Sequence, residues 1–373
     1  MATPALAELE QRHSLSEKIA ILHRALRDHY PFIDRVAVAV YDLQTDYLKT
    51  FLGSNTGEAP IVHYQAKLAE TPGLCEIAAS GTPRIVDDLR DFDASTQEHT
   101  QRLVAAGFRS SYTMPMFFDG DFFGFVFFNS TDARRFAPDV VSQIDPFGRL
   151  LALMVVSEIR AIRRLSAATK TIRHITASRD CETGAHLERM SRYARIIACE
   201  LAEGHNLSDE YIDHVFLFSP MHDIGKIAIP DIVLLKPGGL DHDEYALMQT
   251  HTDKGLEMVD YMLAEFDLSQ LVHVEILRNI VFSHHEWIDG SGYPCGLAGD
   301  EIPLEARIVT TADIFDALTS RRPYKQAWSN EEAFASLRRL AGSKLDKDCV
   351  EALQRRQQEI ETIQARFHED AFG

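Results

Sequence analysis

The chain has 373 residues, of which 45% are hydrophobic and 25% are charged, and its formal net charge is −18. This length predicts two domains of about 100–200 residues each, and the composition is typical of globular proteins. The acidic balance argues against duplex nucleic acid or an anionic membrane as the main partner, because both attract basic surfaces. A small anionic substrate is compatible with it, since metal ions and a few cations can reverse the potential inside a pocket.

The distribution of cysteines and of apolar residues indicates the cellular compartment of the protein. The five cysteines are dispersed and show no CxxC spacing, which favours reduced thiols in an intracellular protein. The first residues carry acids and no apolar stretch, so we expect no signal peptide. No run of about 18 apolar residues occurs, so we expect no membrane span and a cytoplasmic protein.

The first part of the chain alternates strand-like and helix-like segments. Residues 36–40 (VAVAV) have the composition of a strand, and Asp119-Gly120 between two aromatic runs predicts a β-hairpin. Helical spacing of apolar residues predicts a helix over 15–29, capped by Ser14 or Ser16. This alternation predicts an α+β sheet domain over residues 1–150. Two further short helices are expected at 73–81 and 97–107.

From about Asp145 onwards the pattern is helical. We expect a long connecting helix through 151–175, which either pairs with its mate in a homodimer or covers the core of its own chain. The region 176–373 is predicted to be an all-α bundle. Ser208 there predicts the start of a helix, and Pro220 predicts that this helix breaks just before a His-Asp pair.

Histidines and acidic residues in this second half form a pattern. Each of them alone has an ordinary explanation, such as a pair on one helix face, a helix cap or a buried histidine with a hydrogen bond. Together they offer the mixed imidazole and carboxylate ligands that Fe, Mn, Zn, Co and Ni accept. Two metals about 3.5–4 Å apart are a standard arrangement for phosphodiester hydrolysis. The candidate ligands are Glu182, His186, His222, Asp223, His251, His284, His285 and Asp313.

The order and spacing of the segments around these residues resemble the HD-GYP family, a branch of the HD-domain metal-dependent phosphohydrolases. The likeness extends over roughly 150 residues, which makes it far more specific than a single His-Asp pair. The matching segments are ETGAH (182–186), HDIGKIAIPD (222–231), KPGGL (236–240), MQTHTDKG (248–255), HHEWIDGSGYPCGLAGDEIP (284–303) and ARIVTTADIFDALTSRRPYK (306–325).

The resemblance implies a role for each ligand. One metal site is expected to comprise His186, His222, Asp223 and Asp313. A second is expected to comprise His251, His284 and His285, with Asp223 bridging the two sites, and Glu182 resembles the carboxylate that some members use for a third metal. The implied cofactors are two or three divalent ions, most readily Fe or Mn, and the implied catalytic residues are Asp223 and Lys226.

The resemblance also implies a substrate, a cyclic dinucleotide. Lys226, Arg322 and Lys325 are expected to contact its phosphates or a guanine edge, with Tyr293 in the neighbouring GYP loop. Hydrolysis of cyclic di-GMP to linear pGpG, either as the final product or as an intermediate on the way to GMP, is the leading expectation. The alternatives are a phosphodiesterase for 3′,3′-cGAMP or another cyclic dinucleotide, and a receptor that binds the dinucleotide without turnover. The loop around Tyr293 could also dock on a GGDEF-type cyclase.

Residues 15–150 resemble a GAF domain through topology and turn chemistry rather than through catalytic residues. The segments that carry this likeness are VAVAVYD, GLCEIAASGTPRIVDDL and GFRSSYTMPMFFDGDFFGFVFFNS. Such domains bind small molecules or dimerise, so the resemblance implies regulation of the second half by an unknown small ligand. Single residues such as His63, His99 and Cys75 do not identify that ligand.

Overall fold

The computed structural model describes residues 7–11, 13–57, 59, 61–91, 98–175, 184–266, 268, 273–320 and 327–368. The chain divides into two compact units, Met1–Arg160 and Ala161–Gly373. The three-part division at 150 and 175 stays a prediction.

The first unit is built on a six-stranded sheet. Its strands are β1 (Arg35–Asp42), β2 (Tyr47–Asn55), β3 (Gln65–Lys67), β4 (Arg84–Val86), β5 (Ser110–Phe118) and β6 (Asp121–Ser130). Their order across the sheet is β3-β2-β1-β6-β5-β4, and neighbouring strands are antiparallel. The expected hairpin joins β5 to β6, and its turn residues Asp119 and Gly120 have φ of 52° and 88°, as a two-residue hairpin turn requires. The α+β expectation for this unit is confirmed.

Helices cover both faces of this sheet. Helix α1 (Leu15–Arg27) begins at Ser14, which forms a reciprocal capping box with Glu17. Its apolar side packs with Val36 and Val38 of β1 in one core. The opposite face of the sheet carries a separate cluster around Phe125. The two short helices that cover this second face are α2 (Pro72–Ser80) and α3 (Glu98–Ala105).

A single long helix, α4 (Pro138–Ile175), follows the sheet. It begins seven residues before the predicted start at Asp145. Between Pro138 and Ala168 it is long and apolar enough, by length and composition only, to cross a membrane. One such helix is weak evidence for a span, because core helices of globular domains pass the same test. Val155 and Ile159 of this helix are indeed buried in the sheet core.

The second unit is helical throughout its described part. Its helices are α5 (Gly184–His205), α6 (Asp209–Phe218), α7 (Asp231–Leu234), α8 (His242–Gln249), α9 (His251–Glu265), α10 (Val274–Ser283), α11 (Leu304–Thr319), α12 (Asn330–Leu340), α13 (Lys347–Gln354) and α14 (Gln357–Arg366). The expectation of an all-α second half is confirmed. Residues such as Tyr193, Phe218, Leu277 and Phe315 are almost fully buried in its core.

One break in the helical pattern positions the functional region. Helix α6 is capped by the Ser208 side chain and ends at Phe218. The chain continues through the 3₁₀ segments Ser219–Met221 and Ile224–Ala228. Pro220 therefore interrupts the helix just before His222-Asp223, as predicted from its missing N–H.

Candidate metal centre

Four helices of the second unit, and the short stretch between its two 3₁₀ segments, bring histidines and carboxylates to one place. His186 lies in the first turn of α5, His251 begins α9, His284 follows the last residue of α10, and Asp313 lies in α11. His222 and Asp223 lie between the two 3₁₀ segments. Their ligand atoms form two groups within which all atoms lie less than 4.8 Å apart. The first group is His186, His222 and Asp313, and the second is Asp223, His251, His284 and His285.

Asp223 lies between the two groups. Its Oδ2 is 3.1 Å from His222 Nε2, while its Oδ1 is 3.2 Å from His251 Nε2 and 3.5 Å from His284 Nε2. In the first group, Asp313 Oδ1 lies 3.7 Å from His186 Nε2 and 4.0 Å from His222 Nε2. The structure thus brings together all seven predicted ligands that fall within its described residues.

Backbone carbonyls fix the orientation of three of these imidazoles. Nδ1 of His222 lies 2.9 Å from Ser219 O, and Nδ1 of His251 lies 2.8 Å from Met248 O. Nδ1 of His284 lies 2.9 Å from Ile280 O. A carbonyl only accepts hydrogen bonds, so each Nδ1 must carry the proton and each Nε2 presents its lone pair to the cluster.

The donor set fits a divalent transition metal. His251 Nε2, His284 Nε2 and Asp223 Oδ1 are buried, and none has an aligned hydrogen-bond partner among the described residues. Buried polar atoms rarely stay unsatisfied without a function. Two ligands about 2.1 Å from one ion are about 3.0–3.4 Å apart for ordinary bond angles, which is close to the separations from Asp223 Oδ1. Imidazole and carboxylate together are the ligands expected for such an ion.

The charge states in this cluster are those of metal ligands. Burial alone would raise the pKa of Asp223, but the Lys226 ammonium and His222 beside it hold this pKa well below its usual range. Burial lowers the pKa of His284, and burial together with His284 lowers that of His285. The aspartate is therefore ionised and these two imidazoles are neutral at pH 7, the protonation states in which each residue binds a metal.

Two of the predicted substrate contacts border this cluster. Lys226 Nζ lies 2.6 Å from Asp223 Oδ2, and the lysine side chain keeps 21% of its surface exposed. The Tyr293 ring stacks on His285 with centroids 4.7 Å apart, and it also meets His251 edge-on. The Lys226 ammonium and the Tyr293 ring therefore lie at the edge of the cluster, where the first could contact a phosphate and the second a nucleobase.

The loop that carries Tyr293 is held by Glu286. The buried carboxylate of Glu286 accepts hydrogen bonds from Cys295 N at 2.7 Å and from Leu297 N at 3.0 Å. Glu286 therefore fixes the backbone of this loop. Gly292 is required by close packing, because a Cβ there would lie 2.4 Å from Trp287 N.

Asp316 and Arg189 are the structural partners that sequence reasoning did not assign. Asp316 is fully buried and lies 2.8 Å from His186 Nδ1. Arg189 donates to both carboxylate oxygens of Asp316, at 2.7 and 2.9 Å. A carboxylate that accepts from a ligating histidine fixes the ring and raises its basicity. The available signals were an arginine one turn after His186 and a second aspartate one turn after Asp313.

Three predicted site residues lie outside the described residues: Glu182, Arg322 and Lys325. The third-metal carboxylate and two of the phosphate contacts therefore stay predictions.

The relatives found by comparison with known proteins are named as cyclic dinucleotide phosphodiesterases. The chain is 44% identical over 219 residues to the cyclic di-GMP phosphodiesterase response regulator RpfG of Xanthomonas campestris, covering 59% of this chain and 54% of that protein. It is 38% identical over 215 residues to a probable cyclic di-GMP phosphodiesterase of Vibrio cholerae, covering 56% and 48%. It is 39% identical over 189 residues to the 3′3′-cGAMP-specific phosphodiesterase 2 of Vibrio cholerae, covering 50% and 34%. The chain thus spans about half the length of these relatives, or less.

Family comparison matches both halves of the chain. Residues 170–349 match the HD domain, and residues 17–155 match the GAF domain. An HD domain implies a divalent metal, in agreement with the histidine and aspartate clusters. The chain therefore combines an N-terminal GAF domain with a C-terminal HD domain, as its motifs predicted.

Proposed function

We propose that this protein is a metal-dependent phosphodiesterase that hydrolyses cyclic di-GMP to linear pGpG, which either accumulates or is hydrolysed further to GMP. The observation that carries the proposal is the convergence of imidazole Nε2 atoms on Asp223, with Lys226 at its edge. The names of the relatives support the substrate class. We infer from the geometry of this cluster that the whole protein catalyses this hydrolysis.

The metal ligands divide between two positions. His186, His222 and Asp313 would hold one ion, and His251, His284 and His285 the other, with Asp223 shared. Fe or Mn would suit this donor set. When bound, such ions activate water as a nucleophile and stabilise negative charge on phosphoryl oxygens. This assignment needs no Ser or Cys nucleophile, and we place none in the site.

The protein's own groups orient the substrate. Lys226 is held beside Asp223 by its ion pair, so its ammonium is already in place for a phosphate oxygen. The Tyr293 ring offers a face next to His285 for a nucleobase. Arg322 and Lys325 are proposed as further phosphate or guanine contacts, from the resemblance alone.

A second candidate substrate is 3′,3′-cGAMP. One relative is named for this dinucleotide at an identity similar to that of the cyclic di-GMP enzymes. One or two contacts in a pocket decide between two purine bases, so overall identity does not rank them.

Turnover of both dinucleotides, on the full chain reconstituted anaerobically with Fe(II) or Mn(II), tests the proposal. We expect metal-dependent formation of a linear dinucleotide, identified by chromatography, and a faster reaction with cyclic di-GMP. A faster reaction with 3′,3′-cGAMP would keep the reaction class and replace the substrate. Tight binding without product under every metal would support the receptor alternative and contradict the enzyme.

The remaining expectations concern partners. We propose that the GAF domain regulates the HD domain, that the protein is a cytoplasmic homodimer, and that the Tyr293 loop is available to a GGDEF-type cyclase. The GAF domain match supports the first of these proposals, and the others rest on the sequence patterns described above.

A further inference from the structure

A buried cation lies on the second face of the GAF sheet. Arg35 begins β1 and exposes only 4% of its surface. Its Nη1 donates a hydrogen bond to Asn129 Oδ1 at 2.7 Å, while its buried Nε has no hydrogen-bond partner among the described residues. A buried polar group without a partner calls for a ligand, an ion or a water.

Among the described residues, no negative charge compensates the charge of Arg35. Its partner Asn129 is a neutral amide, which is itself held by a hydrogen bond from Nδ2 to Ser111 Oγ at 3.1 Å. In the described part of the chain, no carboxylate lies within ion-pair distance of Arg35. Burial lowers the pKa of Arg35 to about 10, so the guanidinium stays charged at pH 7. Buried charges are ordinarily paired, which indicates a missing counter-ion.

A cavity of about 60 Å³ lies against Arg35. The space is left open because two lining residues of β1, Ala37 and Ala39, have only methyl side chains. A water-sized position needs about 10–15 Å³, so the cavity has room for roughly four to six non-hydrogen atoms. The rest of its lining is largely apolar and includes Leu74 of helix α2 and Phe127 of strand β6.

The other basic groups around the cavity add little net charge. Lys49 also lines it, and its Nζ lies 3.5 Å from the Asp42 carboxylate. Burial, together with Arg84 and Arg35, lowers the pKa of His99 to about 4, so this imidazole is neutral at pH 7. Taken over the residues that the structure describes, the cavity therefore presents one uncompensated positive charge, which matches a monoanion.

We propose that this GAF cavity binds a short monocarboxylate of two to four carbons. Its carboxylate would pair with the Arg35 guanidinium, whose planar fork of donors matches a carboxylate. Its alkyl end would lie against Leu74 and Phe127, where burial of methyl and methylene groups is favourable. A dianion would leave one negative charge uncompensated in the same enclosure.

Hydrogen–deuterium exchange of the full chain tests this site, with propionate as the probe at constant ionic strength. We expect saturable protection of peptides from β1 and β6 by propionate. Propionamide has the same shape and no charge, and we expect no protection from it. Equal protection by both compounds would overturn the assignment, as would a saturable response to inorganic phosphate with none to propionate.

Two variants separate binding from folding. Arg35→Met removes a buried, uncompensated charge, so the unliganded domain should stay folded while the propionate response is lost. Ala37→Val keeps Arg35 and fills part of the cavity, so it should lower the apparent affinity for propionate at least tenfold. Arg135→Met, at an exposed arginine that pairs with Asp132, should respond as the unchanged protein does. An unchanged response in either Arg35→Met or Ala37→Val would contradict the proposal.

Discussion

At the scale of single residues, hydrogen bonds at the Nδ1 atoms of the histidines orient their Nε2 atoms toward the candidate metal centre. Nδ1 of His222 and His251 faces a backbone carbonyl, and Nδ1 of His186 faces the Asp316 carboxylate. These contacts set which ring nitrogen is protonated before any ion binds. The ligands were predicted from their residue types together with the resemblance to the HD-GYP family. The sequence could not predict these carbonyls, because a carbonyl leaves no residue-specific signal.

Asp316→Asn tests the role of these hydrogen bonds. The substitution removes the charge that Arg189 pairs with and one acceptor for His186 Nδ1. We expect metal affinity to fall about 10–100-fold, as is usual when such a partner is lost. We also expect a loss of about 3–5 kcal/mol in the free energy of unfolding, because Arg189 keeps a buried charge. Metal titration and urea denaturation measure the two effects.

The matched control for this substitution is Asp253→Asn, at an exposed aspartate in the first turn of α9. It should leave both the metal affinity and the free energy of unfolding nearly unchanged. Unaltered metal affinity in Asp316→Asn would mean that His186 does not depend on its buried partner.

At the scale of elements, two packing contacts between separate segments position the candidate metal centre and the loop beside it. The 3₁₀ segment Ile224–Ala228 packs directly on the first turn of α9, and the loop after His285 is bound to Glu286. The sequence alone shows only that both segments contain glycine. Which glycine is indispensable depends on backbone from a distant part of the chain, so local pattern could not identify it.

Gly225→Ala tests the first contact. A Cβ at this position would lie 1.8 Å from His251 O and 2.5 Å from Gly255 N, and both of these atoms are backbone. We expect a loss of about 3 kcal/mol or more in the free energy of unfolding, at the upper end of overpacking effects. Gly239→Ala, where a Cβ meets nothing within 4 Å, is the control. Equal stability of the two variants in chemical denaturation would refute this contact.

Glu286→Gln tests the second contact. The change removes the negative charge that accepts the Cys295 and Leu297 N–H groups. Hydrogen bonds to charged groups are worth about 1.5–3 kcal/mol, so we expect a looser loop and roughly a tenfold higher KM, with metal content retained. Steady-state kinetics measure this change. Asp300→Asn, at a highly exposed position further along the same loop, should leave KM unaltered.

At the scale of the whole molecule, pattern and motif predicted the two domains, and the family matches confirm them. The Asp119-Gly120 hairpin, the Ser208 cap and the Pro220 break were predictable because each depends on local chemistry. The Arg35 cavity was not, because it depends on strands that meet across the sheet. Arg35 and Asn129 are 94 residues apart in the chain, and only register brings them together.

Acid should destabilise the GAF domain through His23. This histidine is buried between Ser54 Oγ, 2.8 Å away, and Ile33 O, 2.9 Å away. Burial lowers its pKa, opposed by the Ile33 carbonyl and Asp34 and assisted by Arg27. The unfolded chain therefore binds a proton more readily than the folded one, so stability is complete above about pH 6.5 and declines as the pH falls below it.

Denaturation midpoints between pH 7.5 and pH 5 measure this effect. His23→Gln keeps polar atoms for the two partners and removes the titration, so it should flatten the pH dependence of the GAF transition over this range. His29→Gln, at an exposed histidine just after α1, should retain the slope. An unchanged slope in His23→Gln would show that another group controls the acid sensitivity.

We assign hydrolysis to the histidine and aspartate cluster around Asp223. The most direct measurement is metal content and cyclic dinucleotide turnover in the same samples of the unchanged protein and of Asp223→Asn, with folding checked by circular dichroism. We expect at least two ions per chain and turnover in the unchanged protein, and depleted metal with no turnover in the folded variant. Full turnover by a clean, folded Asp223→Asn preparation would contradict this assignment.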